Sequence, residues 1–107
     1  MEARRLNGDE IKQQLEEIKG WRHQITEIPA QPQNKNIDML FKMFPFSDYK
    51  QTREFVNKVA DIAESLAHYP SVTFAGNYST VLACTLDLEG LTEEDFALAK
   101  QIDEING

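Results

Sequence analysis

Glu64, His68 and Tyr69 are the residues of this chain whose types and spacing could do chemistry. An imidazole takes up and releases a proton near neutral pH, as a dehydration, an elimination or an enolisation requires. His68 follows Glu64 by four residues, one helical turn, and directly precedes Tyr69 and Pro70. The same spacing also suits a structural role, in which His68 caps the last carbonyls of a helix and Glu64 is its solvated partner.

The other reactive side chains indicate structural roles. Cys84 lies in the apolar run 81–86, which favours a buried thiol, and His23 lies between Trp21 and Ile25 in a presumed strand, which favours a solvent-facing or interface position. Two distant histidines and one cysteine do not form a metal ligand set, and no glycine-rich phosphate loop occurs. We therefore expect no metal and no cofactor.

A long amphipathic helix is predicted to position His68. Asp48 and Gln51 have the spacing of a capping box at its start. Its apolar positions recur with helical period at Tyr49, Phe55, Val56, Val59, Ile62, Ala63 and Leu66. The helix must end before Pro70, because a proline pushes the preceding residue out of the α region. His68 and Tyr69 are thus expected at its C-terminal end.

The remaining elements are predicted from period and turn chemistry. Asn7 and Glu10 cap a short first helix that ends at Gly20, and Thr92 with Asp95 caps a final helix in which Leu91 and Phe96 form a hydrophobic staple. The extended segments are 21–28, 37–46 (with Met39, Phe41 and Met43 on its apolar side), 71–74 and 78–86, and the turn-forming residues 29–36 join the first two.

This element order predicts a single α+β domain over residues 1–107. Strands that arrive in pairs favour an antiparallel sheet, and the three helices are expected to cover one of its faces. The other face or the sheet edges would remain open, so self-association is expected.

Charge and hydropathy exclude several classes of partner. Eighteen Asp and Glu against eleven Lys and Arg give a formal net charge of -7, which disfavours direct binding to nucleic acid or to acidic membranes. No apolar run approaches the roughly 20 residues of a membrane helix, and the N-terminus lacks a signal-peptide core. We expect a soluble, cytoplasmic protein.

Several motifs together resemble the pterin-4a-carbinolamine dehydratases. They are Glu64-x-x-x-His68-Tyr69-Pro70, the following Tyr78, and Gly90-Leu91-Thr92 leading into Asp95 and Ala99, with Gly20-Trp21, Leu40-Phe41-Lys42 and Asp48-Tyr49 before them. The resemblance implies a four-stranded antiparallel sheet with three helices on one face, assembled as dimers or tetramers. It also implies a hydro-lyase that removes water from the 4a-hydroxytetrahydropterin left by aromatic amino-acid hydroxylases in tetrahydrobiopterin recycling.

The resemblance assigns catalytic roles to His68, Glu64 and Tyr69 and contacts with the pterin substrate to Pro70, Tyr78 and Asp87. The chain departs from the family pattern at two of three histidines. Tyr69 stands at the second position, and the third falls among residues 85–88, where Asp87 is the candidate replacement. Because each positioned acid or base contributes about 10²- to 10⁴-fold, activity is expected to be reduced or lost.

A divergent branch of the same family offers an alternative. The segments 52–55, 68–70 with Phe74 and Tyr78, and 99–105 are similar to dehydratase-like proteins of carboxysome-bearing organisms. Those proteins are linked to Rubisco assembly, so this resemblance implies a non-catalytic assembly factor that binds the Rubisco large subunit. The wider family also includes dimerisation cofactors of transcription factors, for which the sequence gives no positive sign.

Overall fold

The computed structural model describes residues 4–106. The elements follow in the order α1 (Gly8–Leu15), β1 (Arg22–Ile28), β2 (Lys35–Pro45), α2 (Tyr49–Leu66), β3 (Ser71–Phe74), β4 (Tyr78–Ala83), a 3-10 turn (Leu86–Leu88) and α3 (Glu93–Asn106). The predicted order and the α+β class are confirmed. No helix among these residues is long and apolar enough to cross a membrane.

The four strands form one antiparallel sheet in the order β1-β2-β4-β3. The central strands β2 and β4 pair from Leu40 opposite Ala83 to Pro45 opposite Tyr78. Pro45 is the last residue of β2, where its missing N–H costs the sheet no interior ladder hydrogen bond. The short strand β3 and the hairpin strand β1 form the two edges.

The three helices and one face of the sheet enclose the hydrophobic core. Its largest fully buried side chains include Ile11 from α1, Leu40 and Phe44 from β2, Val59 from α2, Val81 from β4, and Phe96, Leu98 and Ile102 from α3. The Phe44 and Phe55 rings lie 4.6 Å apart between centroids. Burial of this apolar surface is the main term that holds α2 and α3 over the sheet.

The side of β2 that faces the helices is the opposite of the side predicted. Leu40 and Phe44 enter the core cluster. Of the residues predicted for the apolar side, Met43 is 55% exposed, and Met39 is buried but lies outside that cluster. Lys42 shares the core-facing side, where its Nζ lies over the Trp21 and Phe44 rings and 2.9 Å from Oδ1 of Asp103 on α3. A long charged side chain can bury its methylene groups while its head finds a partner at the edge of the core.

Three element ends also differ from the prediction. The first helix ends at Leu15, because residues 16–20 continue as turns rather than as regular helix. The strand predicted over 78–86 ends at Ala83, and the chain then passes into the 3-10 turn that begins at Leu86. His68 and Tyr69 lie just beyond the last helical residue, Leu66, rather than within the helix.

Candidate functional site

The end of α2 turns sharply and places His68 under the start of α3. Ala67 adopts a left-handed conformation with φ 52° and ψ 40°, and the His68 N–H donates to the Ala63 carbonyl at 3.0 Å. This is the geometry of a Schellman ending, which directs the chain away from the helix axis. His68 is therefore buried, whereas its neighbour Tyr69 is 71% exposed.

The His68 ring contacts a buried carboxylate. Its Nε2 lies 2.5 Å from Oδ1 of Asp95, which has no exposed surface. A carboxylate in this position is costly unless hydrogen-bond donors surround it. Asp95 meets that requirement, because its Oδ2 accepts from the Thr85 hydroxyl at 2.8 Å and from the Thr92 N–H at 3.0 Å.

The local sequence explains why Asp95 occupies this position. It is the third residue of α3, where a side chain reaches back to the N–H of the capping residue. The Thr92 hydroxyl accepts from the Glu94 N–H at 3.2 Å and contacts the Thr85 hydroxyl at 2.8 Å. Helix capping and histidine binding thus use the two oxygens of one carboxylate.

The contact with Asp95 determines which ring nitrogen can react. An ionised Asp95 accepts hydrogen bonds only, so the Nε2 of His68 carries the proton of that hydrogen bond. The Nδ1 of His68 remains for proton exchange, and it lies 3.4 Å from Oε2 of Glu94. The site can therefore give or take one proton at Nδ1 without disturbing the buried hydrogen bond.

Cys84 lies close to the same carboxylate, but its chemistry is different. Burial, together with the negative charge of Asp95, raises the pKa of the Cys84 thiol above its ordinary value. The thiolate is the nucleophilic form, so a raised pKa keeps Cys84 protonated and unreactive. This agrees with the structural role predicted from its apolar surroundings.

Two shallow clefts meet at Tyr69. The first has a volume of about 210 Å³ and is lined by Ala67, His68, Tyr69, Cys84, Thr85, Leu86 and Asp87. The second, about 320 Å³, is mostly apolar and is lined by Val56, Val59, Ala60, Ala63, Glu64, Tyr69, Pro70 and Val72. We name them the His68 cleft and the α2 groove.

The residues predicted for the site are distributed over these clefts. His68, Tyr69 and Asp87 line the His68 cleft together, and Glu64 and Pro70 line the adjacent α2 groove. Tyr78 lines neither cleft; it begins β4, opposite Pro45, while the His68 cleft borders the residues that follow the other end of that strand. The second histidine, His23, contacts Asp38 at 2.7 Å on the surface of β1 and β2.

Sequence reasoning missed the contacts of His68 with Asp95 and Glu94 and that of Asp95 with the Thr85 hydroxyl. Asp95 was recognised only as a capping residue of α3, Thr85 only as part of the range 85–88, and Glu94 received no role of its own. The segment 85–88, expected to hold the replacement for the third family histidine, does contribute Leu86 and Asp87 to the His68 cleft. Among residues 4–106, no group of three or more His, Cys, Asp or Glu side chains is placed to hold a metal ion.

A four-stranded antiparallel sheet carries three helices, and a buried histidine follows the second helix, so the chain is a small α+β protein. A family model described as pterin 4 alpha carbinolamine dehydratase matches residues 4–105, and the chain belongs to this family. A relative from Sulfurisphaera tokodaii, assigned to the pterin-4-alpha-carbinolamine dehydratases, is 34% identical over 102 residues, which cover 95% of this chain and 97% of that protein. A relative from Thermosynechococcus vestitus with the same assignment is 33% identical over 96% of both chains.

The solved structures that share the fold include the following two. One is a transcriptional coactivator/pterin dehydratase from Brucella melitensis, with a TM-score of 0.81 and 26% identity over 97% of this chain and all of that one. The other is a pterin dehydratase-like protein identified as a RuBisCO assembly factor in the alpha-carboxysome, with a TM-score of 0.61 and 29% identity over 82% of this chain and 90% of that one. The family resemblance and the predicted fold are thus confirmed, and both functional alternatives have a structural neighbour.

Proposed function

We propose that this chain binds a 4a-hydroxytetrahydropterin in the His68 cleft and promotes its dehydration in the cytoplasm. The observation that carries the proposal is the buried hydrogen bond of 2.5 Å between His68 and Asp95 at the wall of that cleft. Asp95 fixes the orientation and the tautomer of the ring, which are requirements for an efficient general acid or base.

The reaction needs one proton delivered and one removed. Protonation of the 4a-hydroxyl lets the C4a–O bond break with release of water, while loss of the N5 proton forms the C4a=N5 double bond. His68 can perform either transfer through Nδ1. Asp87 and Tyr69 line the same cleft, and a carboxylate is the better proton acceptor of the two because a phenol has a reference pKa near 10.

The composition of the cleft predicts a low rate. One imidazole stands where the family pattern has three, since Tyr69 replaces the second and Leu86 and Asp87 lie at the expected place of the third. Each lost acid or base removes about 10²- to 10⁴-fold. We therefore propose a weak dehydratase that depends on His68.

A stopped-flow measurement of the decay of chemically prepared 4a-carbinolamine tests this proposal. We expect a rate above the buffer background with the wild-type protein, loss of the gain in His68→Ala, and retention of the gain in His23→Ala. His23 is the matched control because it is the other histidine and lies outside both clefts. A wild-type rate equal to background at high protein concentration would eliminate catalysis, and circular dichroism of each variant verifies that it folds.

We propose Rubisco assembly as the second candidate. It is supported by the likeness to the solved dehydratase-like RuBisCO assembly factor together with the incomplete set of histidines. On this proposal, exposed sheet and helix surfaces bind the Rubisco large subunit, and the His68 cleft has no part in it. The yield of assembled Rubisco on co-expression should rise with wild type and equally with His68→Ala, and an unchanged yield with wild type would reject this candidate.

A further inference from the structure

His68 is held between two carboxylates from consecutive residues of α3. Asp95 lies 2.5 Å from Nε2 and is fully buried, whereas Glu94 lies 3.4 Å from Nδ1 and its side chain is 57% exposed. Within residues 4–106, these are the carboxylates that approach the ring within 4.0 Å. One ring nitrogen therefore faces the interior and the other faces a group in contact with solvent.

The first turn of α3 fixes this arrangement. The Glu94 N–H donates to the Thr92 hydroxyl at 3.2 Å, and Asp95 accepts from the Thr92 N–H at 3.0 Å. Both carboxylate residues are thereby attached to the same capping residue. Carboxylates are also favoured at this end of a helix by its dipole.

We propose that Glu94 is a positioning residue that acts through His68, holding a proton on Nδ1 and exchanging it with solvent. The Glu94 carboxylate lies 3.4 Å from Nδ1, and opposite charges this close attract even near the surface. The buried Asp95 cannot exchange protons with solvent while it is enclosed. Glu94, whose side chain is 57% exposed, therefore connects Nδ1 of His68 with solvent.

Other titratable groups near the ring do not replace Glu94. Asp87, Tyr69 and Cys84 line the His68 cleft with the ring, and the thiol of Cys84 stays neutral because burial raises its pKa. Glu64 lies one turn earlier and lines the α2 groove instead. Glu94 is the group in contact with Nδ1.

The consequence for the dehydration rests on the proposed function. Protonated Nδ1 gives its proton to the departing 4a-hydroxyl, the electron pair of the C4a–O bond leaves with water, and the electrons of the N5–H bond form the C4a=N5 bond. The N5 proton passes to water or to Asp87. Neutral His68 then regains a proton from solvent by way of Glu94.

Nitrogen-15 NMR of the His68 ring tests the inference without any substrate. We expect the Nε2 signal to stay in its protonated range across pH 5 to 9, and the Nδ1 titration curve in Glu94→Gln to move to lower pH by roughly half a unit, as an exposed ion pair allows. Glu94→Asp should restore part of the shift. The matched control is Glu93→Gln, which removes the same charge from an exposed residue of the same turn and should move the curve much less.

Equal shifts in the Glu93 and Glu94 variants would overturn the inference, because they would show only a general effect of charge. A kinetic measurement tests the same role independently of the NMR experiment. If the wild type dehydrates the carbinolamine, Glu94→Gln should move the pH profile of kcat in the same direction and leave KM nearly unchanged. An Nδ1 shift without catalysis would refute the dehydratase proposal alone, whereas catalysis without an Nδ1 shift would refute the role of Glu94.

Discussion

Asp95 is the residue on which the candidate site depends most. Its carboxylate receives hydrogen bonds from His68, from the Thr85 hydroxyl and from the Thr92 N–H, all in a fully buried position. Such a network orients the imidazole and also joins the loop after β4 to the start of α3. A fully satisfied buried network specifies one conformation, whereas a partly satisfied one is unfavourable.

Replacing Asp95 by Asn should destabilise the fold. An amide offers one oxygen and an NH₂ group, and the NH₂ group would face at least one of the three existing donors, leaving a buried group without a partner. We expect a loss of roughly 1–3 kcal/mol in the free energy of unfolding, measured by urea denaturation. Asp87→Asn is the matched control, since Asp87 is exposed and should change by less than about 0.5 kcal/mol. A change equally small in Asp95→Asn would contradict the role assigned to the network.

The sequence predicted His68 but not its partner, for a physical reason. The helical period and Pro70 were sufficient to place His68 at the end of α2. Asp95 lies 27 residues further along the chain, and its spacing from Thr92 is fully explained by helix capping. The local sequence reveals the capping contact of Asp95 with Thr92. The contact of Asp95 with His68 depends on how α2 and α3 pack.

The end of α2 is the element that delivers His68 to that partner. Ala67 has φ 52°, in the left-handed region, where a Cβ is unfavourable by about 1 kcal/mol or more. We expect Ala67→Gly to stabilise the protein by roughly 0.5–1 kcal/mol in urea denaturation. Ala60→Gly, the same change within α2, should destabilise it by a similar amount. Destabilisation by Ala67→Gly would show that the helix ending does not have this conformation.

The first helix contains a pH-dependent contact. The hydrogen bonds from the Arg4 side chain, followed by that from the Asn7 N–H, lower the pKa of Glu10 from the ordinary 4.5 to about 2. Because the folded-state pKa is depressed, the stability from this ionisation is complete above pH 4.5 and is lost as the pH falls toward 2. The Tm difference between wild type and Glu10→Gln should therefore shrink between pH 6 and pH 2.5, whereas the difference for Glu16→Gln, an exposed residue at the end of α1, should change less. A constant difference for Glu10→Gln would refute the contact.

Local sequence patterns do not determine which side of β2 faces the core. This strand carries apolar side chains on both sides, at Met39, Phe41 and Met43 and at Leu40 and Phe44. Alternation alone then gives no unique inner face. The packing of Phe44 against Phe55 and the contact of Lys42 with Asp103 decide it. Both depend on helices outside the strand, and Asp103 lies 61 residues further along the chain.

At the scale of the whole molecule, the helix order, the antiparallel pairing and the one-sided packing could all be predicted, because each follows from short periodic segments and their connections. For assembly, the sequence predicted an open sheet face or sheet edges, but not which surface would be apolar. The edge strand β3 and the α2 groove together present Val56, Ala60, Tyr69 and Val72 next to unpaired backbone groups of the sheet edge. Such an edge is a template for pairing with a second chain.

We therefore predict self-association through the α2 groove and β3. Sedimentation velocity should give a species of at least twice the 12.3 kDa chain mass, and Ala60→Glu should convert it to monomer, because a carboxylate placed in an apolar contact must lose its hydration. Ala97→Glu makes the same change at an exposed alanine of α3, in the separate groove between α1 and α3, and should leave the assembly intact. A wild-type monomer at all concentrations would refute self-association. Loss of assembly in both variants would show a general effect of the added charge and would contradict an interface at the α2 groove, which Ala60 lines.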